Sequence, residues 1–318
     1  MKVGPRTAER LTVPSTLLRF LAWRLLRALV LVLVVASAAL VLVHAAPGDA
    51  FSEVGADPQV AAAERQRLGL DRPFPAQYAG WVGRAATFDF GESTRFGRPV
   101  SALLGERVGN TVMLAIVALV LALGLGIPAG VVTGGAPGRW TSKTIAAASL
   151  LLVSVPPLVT SLVLLLIAAR SGTLPPAGLT SLRHVLLPAL ALALPIAASL
   201  ERIQSRATAD AMRDPSITAA RARGLSMARV TWIHAFRLSL TPVLGVLGIV
   251  IGTVFSGSLV VEIVMSWPGL GDLMHQALIG RDTFLAAGCA AAGAVFLALG
   301  LLIADVALAA NDPRMETP

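Results

Sequence analysis

The chain has 318 residues, of which 55% are hydrophobic and only 14% are charged, and its mean hydropathy is +0.76. This composition lies far on the apolar side of soluble domains and predicts an integral membrane protein. The net charge of +8 does not indicate a nucleic-acid partner, because the arginines stand in short stretches beside apolar runs. The single cysteine, Cys289, excludes an intrachain disulfide, and the scattered histidines predict no metal site.

Six apolar runs are long enough to cross the roughly 30 Å of a bilayer's hydrocarbon core. We therefore predict an all-α integral membrane protein with six transmembrane helices. The fourth helix is the shortest, and Pro188 and Pro195 predict kinks within it. The predicted spans are 26–43, 111–132, 144–168, 185–200, 240–263 and 284–309.

The basic residues fall mainly on one side of these spans. If the N-terminus is cytoplasmic, most of the 26 Lys and Arg residues lie in cytoplasmic segments, and 201–237 is rich in arginine. This bias predicts an N-in, C-in protein of the plasma (inner) membrane. The chain then divides into a cytoplasmic N-terminal segment, 1–25, and one membrane domain, 26–318. The domain includes an outer segment, 44–109, and a cytoplasmic loop, 201–239.

The first span and the outer segment each allow a second interpretation. Arg24 and Arg27 before an apolar core, with small residues at 45–46, are also typical of a cleavable signal peptide. The apolar length of about 18 residues is long for that role. The outer segment is predicted to cap the mouth of the helix bundle, and a loose connector is the alternative.

The loop 201–239 contains signals for a short, well-delimited helix. Asp214 is a suitable N-cap, and Pro215 suits the first turn that follows it. Gly224 stands where helices commonly end in a left-handed residue. Ser226 is placed to cap a second helix that leads into the fifth span.

The first of these helices, from Pro215 to Arg223, would be a rod of about 13 Å. Ile217, Ala220 and Arg221 fall on neighbouring sides of it, which gives a small apolar stripe edged by arginine. Such a rod could enter a groove on another protein. An ordinary positively charged loop is the alternative.

The segment Ala219-Ala220-Arg221-Ala222-Arg223-Gly224-Leu225-Ser226 resembles the EAA-type cytoplasmic loop of ABC-importer permeases, in the form typical of the dipeptide/oligopeptide/nickel branch. Thr218 departs from the general pattern, which has glutamate there. His234, Phe236 and Arg237 replace a later Ile-x-Leu-Pro. Further matching segments follow the family's order across roughly residues 20 to 315: Leu68-Gly-Leu-Asp-Arg-Pro73 before Gln77-Tyr78, Gly97-Arg-Pro-Val100, Ser266-Trp-Pro-Gly-Leu-Gly271 and Asp312-Pro-Arg314.

The resemblance implies a B-type permease subunit that couples to ATPases through the helix 215–224. It implies a heterodimer with a homologous permease, two ATPase subunits that bind ATP and magnesium, and an external substrate-binding protein. This chain itself would bind no cofactor. Dipeptide, oligopeptide, nickel chelate and haem all stay open as substrates. The implied coupling residues are Asp214, Pro215, Thr218, Ala219, Ala220, Arg221, Arg223, Gly224 and Ser226.

A second motif follows the fifth span on the outer side. Trp267 suits a membrane interface, and Pro268 with Gly269 favours a turn. The resemblance implies a short re-entrant or gate segment there. A plain loop with an anchoring tryptophan is the alternative. The implied gate residues are Glu262, Trp267, Pro268, Gly269 and Gly271.

No phosphate-binding loop is present in the sequence. Gly134-Gly-Ala-Pro-Gly-Arg139 lacks both the spacing and the lysine of such a loop, so any ATP hydrolysis must come from a partner. Asp305 in the last span leaves a proton-coupled secondary transporter as an alternative. That mechanism would need a second intramembrane ionisable group.

Ser256-Gly257-Ser258 in the fifth span raises an intramembrane protease as a further alternative. It would need a base at the same depth, and none of the histidines lies in an apolar span. No catalytic residue is therefore predicted. Small residues in a span more commonly permit close helix packing, and this is the prediction for Gly245, Gly248, Gly252 and Gly257.

Overall fold

The computed structural model describes residues 15–45, 58–172, 178 and 182–311, and this part of the chain is helical apart from turns and one β-bridge. The predicted segment before Ser15 and the motif 312–314 lie outside it. The helices are α1 (Ser15–Ala45), α2 (Pro58–Leu68), α3 (Phe74–Ala85), α4 (Val100–Gly135), α5 (Trp140–Val153), α6 (Pro157–Ser171), α7 (Leu186–Ala211), α8 (Pro215–Ala222), α9 (Met227–Arg229), α10 (Phe236–Val264), α11 (Leu270–Ile279) and α12 (Thr283–Asn311).

Five helical stretches in the described chain are long and apolar enough to cross a membrane, which confirms five of the six predicted spans. Most extend beyond the predicted apolar run, because polar residues continue the helix past the hydrocarbon. Helix α7 passes through Pro195 as one helix. The spans are Ala22–Ala45, Val100–Gly135, Arg183–Ala211, Met227–Val264 and Thr283–Leu308.

The third predicted span, 144–168, is wrong as a single helix. The structure has α5 and α6 there, bent by 108° relative to each other, an arrangement typical of a broken span or of a re-entrant loop. Pro156 and Pro157 explain the break. Neither has an N–H to continue the helix of α5, whereas Pro157 is well suited to begin α6.

Helices α4 and α7 approach closely along a ridge of small residues on α4. A Cβ on Gly130 would lie 2.5 Å from Cβ of Gln204 and 2.6 Å from the carbonyl oxygen of Glu201. One on Gly134 would lie 2.2 Å from the carbonyl oxygen of Ser205. The backbone of α7 thus fills the space of the missing side chains. The buried ridge repeats at every fourth position: Ala118, Ala122, Gly126, Gly130 and Gly134.

The close packing predicted for the four glycines of α10 is found at three of them. A Cβ on Gly248 would lie 2.8 Å from Leu301 of α12, and one on Gly257 would lie 3.0 Å from Leu192 of α7. Close packing is confirmed at these positions and, against α12, at Gly252. It is wrong for Gly245, which has open space beside it.

The described part of the outer segment is packed against the bundle. Trp81 of α3 is buried in a cluster with side chains of α11 and α12. The hydroxyl groups of Tyr78 and Ser37 of α1 lie 2.9 Å apart. At the end of α2, Arg67 donates to both carboxylate oxygens of Glu92 at 2.7 and 3.1 Å, which lowers the pKa of Glu92. This packing favours a cap over a loose connector.

Asp305 has a partner within the bundle. Its carboxylate forms an ion pair with Arg24, so the pair fastens α12 to α1. A fixed opposite charge lowers the cost of keeping a carboxylate within a span. The structure therefore gives Asp305 a packing role and offers no support for the proton-relay alternative.

Candidate functional site

Helix α8 lies between two long helices, α7 and the stretch that continues into α10, and its first turn is capped as predicted. The carboxylate of Asp214 accepts a hydrogen bond from the backbone N–H of Ser216 at 2.8 Å, and Pro215 occupies the first turn. Hydrogen bonds from the side chain and backbone of Ser216 lower the pKa of Asp214. The cap is therefore charged at neutral pH and is lost only as the pH falls through this lowered pKa.

The C-terminal end of α8 is equally well defined. Gly224 has φ of +81°, which confirms the predicted left-handed residue. Its N–H donates to the carbonyl of Arg221 at 2.9 Å, and the N–H of Leu225 donates to the carbonyl of Ala220 at 3.4 Å. This pair of bonds is a Schellman motif, and Leu225 packs against the apolar side of α8 to complete it.

The fold buries the apolar part of the predicted stripe on α8 and leaves Arg221 exposed. Ile217 and Ala220 are each only 1% exposed and pack against Val230 and Ala235 of the same chain. Ala220 therefore does not face a partner and instead holds α8 in place, and its predicted coupling role stays a prediction. The face that a partner can reach consists of exposed Pro215, Ser216, Thr218, Ala219, Arg221, Ala222 and Arg223.

The segment after α8 leads directly into the fifth span. Ser226 caps it by accepting a hydrogen bond from the N–H of Arg229 at 3.4 Å. One wider turn of π-helix, Val230–Ala235, then joins α9 to α10. Thr231 in this turn lies against the end of α4, where a Cβ on Gly135 would be 2.8 Å from its methyl group. The π-helical turn therefore contacts α8, α4 and α10.

Two groups of buried polar side chains near the α8 loop join α7 to its neighbours, one to α4 and one to α10. Thr133 donates to Glu201 at 2.5 Å. The amide of Gln204 donates to Ser239 at 2.7 Å and to Thr208 at 3.0 Å. All five side chains are buried. Sequence reasoning missed both groups; the available signal was that Glu201 and Gln204, one turn apart, continue the buried face of the fourth span.

The predicted gate residues come together at the opposite end of α10. Glu262 is fully buried, and its carboxylate accepts hydrogen bonds from the hydroxyl of Thr111 at 2.9 Å and from the N–H groups of Gly271 at 2.6 Å and Asp272 at 3.1 Å. A Cβ on Gly269 would lie 2.5 Å from this carboxylate. Glu262 therefore holds the first turn of α11 against α10.

Trp267 belongs to this buried cluster and does not face lipid. It is 1% exposed, and its ring N–H donates to the carbonyl of Asn110 at 3.2 Å. The side-chain amide of Asn110 returns a bond to the carbonyl of Pro268 at 2.7 Å. The prediction of an interfacial tryptophan is wrong, because the tight turn directs the ring into the protein. The turn itself is tied to the start of α4.

Thr111 and Thr133, which contact Glu262 and Glu201 respectively, are 22 residues apart on α4. Their separation corresponds to about 33 Å of α-helix. A bilayer's hydrocarbon core is about 30 Å thick. The contacts of Glu262 and Glu201 with α4 are therefore about as far apart along the helix as the hydrocarbon core is thick.

A groove runs between the bent pair α5–α6, α7 and α10. One half is a largely apolar cavity of about 440 Å³, and its lining includes Ser154, Ser199 and Thr253, whose hydroxyl groups donate to carbonyls of their own helices. The other half, of about 540 Å³, lies nearer to α8. The two halves adjoin each other, because Val153, Ser199 and Ile203 line both. The half nearer to α8 is also lined by Arg202, Arg206, Ala207, Asp210 and Pro242.

A bundle of membrane-spanning helices with a partly polar groove and a capped helix at one end defines the class of membrane transport subunits. Comparison with protein families gives the particular family. Residues 126–317 match the family described as "Binding-protein-dependent transport system inner membrane component". Residues 17–115 match the N-terminal domain of such membrane components. The chain belongs to this family. The second match includes most of α1, which favours a retained first span over a signal peptide.

Curated relatives support the same assignment along nearly the whole chain. The oligopeptide transport system permease protein AppB of Bacillus subtilis (strain 168) is 34% identical over 292 residues, which cover 87% of this chain and 92% of the relative. The glutathione transport system permease protein GsiC of Escherichia coli O1:K1 / APEC is 30% identical over 305 residues, covering 94% and 99%.

The fold is also found in a solved structure. One chain of the MetNI methionine ABC transporter, in an inward facing conformation, matches with a TM-score of 0.56 and 20% sequence identity. The match covers 66% of this chain and 96% of that chain. The protein is thus the membrane subunit of a binding-protein-dependent ABC importer and a multi-pass protein of the inner membrane. The ATPase and the substrate-binding protein of such a system are separate partners.

Proposed function

We propose that this chain forms half of the translocation pathway for peptides or a related solute, paired with a homologous permease, and that α8 is its docking surface for an ATPase. The names of the oligopeptide and glutathione permeases support the substrate class. The geometry of α8 carries the docking proposal. It is a short helix fixed at both ends, anchored by Ile217 and Ala220, with a small exposed face that includes Thr218 and Ala219.

The contacts of α8 supply a mechanical route from the ATPase to the spans. Partner ATPases would bind ATP and magnesium, and their closure would displace α8. Because Ile217 and Ala220 pack on Val230 and Ala235, this displacement would reach the base of α10. The network of Gln204 with Ser239 would carry it on to α7. The spans would then reorient together, since packed helices transmit strain.

The groove beside the α5–α6 bend is the proposed wall of the pathway. A break in a membrane helix exposes backbone polar groups, which is tolerated where the break is buried in protein or lines a watery cavity. The break at Pro156 and Pro157 lines this groove, together with hydroxyl groups. The partner permease would close its open side, which is consistent with the proposed pairing of two such subunits.

The charge pattern supports the N-in orientation, which places α8 and 201–239 in the cytoplasm and α2 and α3 outside. In this orientation 1–25 is cytoplasmic, and the cap within 44–109 is available to an external binding protein. The cluster of Glu262, Trp267, Pro268, Gly269 and Gly271 would form the outer joint of the pathway, tied to the start of α4.

Cysteine labelling is expected to show this orientation. In a Cys289→Ala background, cysteines at Ala76 and Ser171 should react with a membrane-impermeant maleimide in intact cells. A cysteine at Ser226 should react only after permeabilisation. All three positions are exposed, so accessibility does not bias the comparison, whereas native Cys289 is buried. Labelling of Ser226 in intact cells would contradict the proposed orientation.

The purified chain alone is expected to hydrolyse no ATP above background. Co-expressed with the neighbouring transport genes, it should purify with a second permease and with ATPase subunits, and ATPase activity should appear. Substrate uptake by this chain alone into liposomes, driven by a proton gradient, would instead favour a secondary transporter. Asp305 would then need a role beyond its pairing with Arg24.

A further inference from the structure

We propose that Arg202 and Arg206 make the groove selective for solutes that carry a carboxylate, such as the free C-terminus of a transported peptide. The inference rests on the proposed function, because it assigns a ligand chemistry to the proposed pathway. Both residues line the half of the groove nearer to α8.

The two arginines are placed to act on one ligand. They are one turn apart on α7, about 6 Å along the axis, and therefore lie on the same face. Arg202 is half-buried, Arg206 is exposed, and neither forms a hydrogen bond or an ion pair with the part of the chain that the structure describes. Two guanidinium groups beside an apolar cavity can thus offer all their donors to a solute.

The other charges around the groove leave it cationic. Asp210 also lines it, and the Asp210 carboxylate lies 3.9 Å from the guanidinium of Arg213. Arg213 itself is not part of the lining. Two positive charges and one shared negative charge therefore face the cavity. The planar fork of arginine matches a carboxylate in two parallel hydrogen bonds, which favours an anionic group over a neutral amide.

A membrane phospholipid is the competing source of negative charge, since arginines near a bilayer boundary attract anionic headgroups. The position of the arginines favours the solute. They lie in a recess between three helical segments, and the recess adjoins a second, largely apolar cavity. The surface of α1 is different, because it exposes apolar side chains such as Leu29, Val34 and Leu42.

The test compares two forms of one short peptide, with a free C-terminal carboxylate or a C-terminal amide. The complete importer with its binding protein is reconstituted in liposomes, and initial uptake is measured for both forms. The R202Q/R206Q variant is expected to lower the acid-to-amide uptake ratio about fivefold, the effect of a partly exposed ion pair. The matched control is Arg139→Gln, which removes an exposed arginine outside the groove and should leave the ratio unchanged.

The remaining outcomes separate this inference from the proposed function. A wild-type importer that takes up neither peptide would overturn both. Equal loss of uptake for acid and amide in R202Q/R206Q, or a loss that follows the anionic lipid content, would overturn only the carboxylate role. If the double variant does not assemble, the acid-to-amide uptake ratio is measured instead in single R206Q and in the R202K/R206K pair. An unchanged ratio in R206Q contradicts the inference, and an intermediate ratio in the lysine pair supports it.

Discussion

Replacement of Gly130 by leucine is expected to reduce the amount of protein in the membrane to a small fraction of normal. A single Cβ at this position would already lie 2.6 Å from the carbonyl oxygen of Glu201, so α4 and α7 would have to separate. Overpacking of a tight interface costs about 1–3 kcal/mol even for small additions. The cost of a leucine against backbone atoms exceeds that range. Such a cost is a large part of a typical folding free energy of about 5–15 kcal/mol.

Gly124 provides a matched control on the same helix. A Cβ there meets no atom within 4 Å, so Gly124→Leu should accumulate normally. Gly130→Ala should fall between the two, because its single methyl group gains helix propensity but still meets α7. Immunoblots of membranes and thermal unfolding of the purified protein would measure these differences. Equal abundance of Gly130→Leu and Gly124→Leu would show that the α4–α7 contact is not as close as described.

Replacement of Gly224 by valine is expected to lower uptake about tenfold or more while the protein remains abundant. No atom lies within 4 Å of the added Cβ, so the change acts through the backbone alone. A β-branched residue at φ of +81° costs about 1–3 kcal/mol of strain. The end of α8 would relieve this strain by changing its angle, and ATP hydrolysis would no longer be converted into transport.

Two variants isolate the conformational effect. Gly224→Asn should retain most uptake, because asparagine tolerates the left-handed region better than other residues. Gly138→Val adds the same side chain at another exposed glycine with open space and no positive φ, and it should transport normally. Uptake and substrate-stimulated ATPase activity of the assembled importer provide the measurement. Normal uptake and normally stimulated ATPase activity in Gly224→Val would contradict the coupling role proposed for α8.

The sequence was sufficient for the elements whose signals are local. Apolar length predicts the spans, and the cap at Asp214 and the stop at Gly224 predict α8 to within one residue. The break in the third span was also visible in Pro156 and Pro157. The prediction rests on the length of the apolar run alone, whereas two adjacent prolines remove two consecutive backbone donors.

The tertiary contacts could not be predicted in this way. Trp267 looks interfacial by residue type, but the turn that Glu262 organises directs it into the protein. Ala220 looks as accessible as Ala219 in the motif, and only the packing against Val230 distinguishes them. Partners such as Arg24 for Asp305 are far apart in sequence, so a single chain without its fold gives no sign of them.

Photo-crosslinking from α8 tests the central claim most directly. A photoreactive amino acid at Ala219, on the exposed face of α8, should crosslink to an ATPase subunit of the assembled importer. One at Ser171, exposed at the end of α6, should not. We expect the Ala219 product to be lost when the Gly224→Val change reorients the helix. No ATPase product from Ala219 in an importer that transports substrate would contradict the assignment of α8 as the coupling surface.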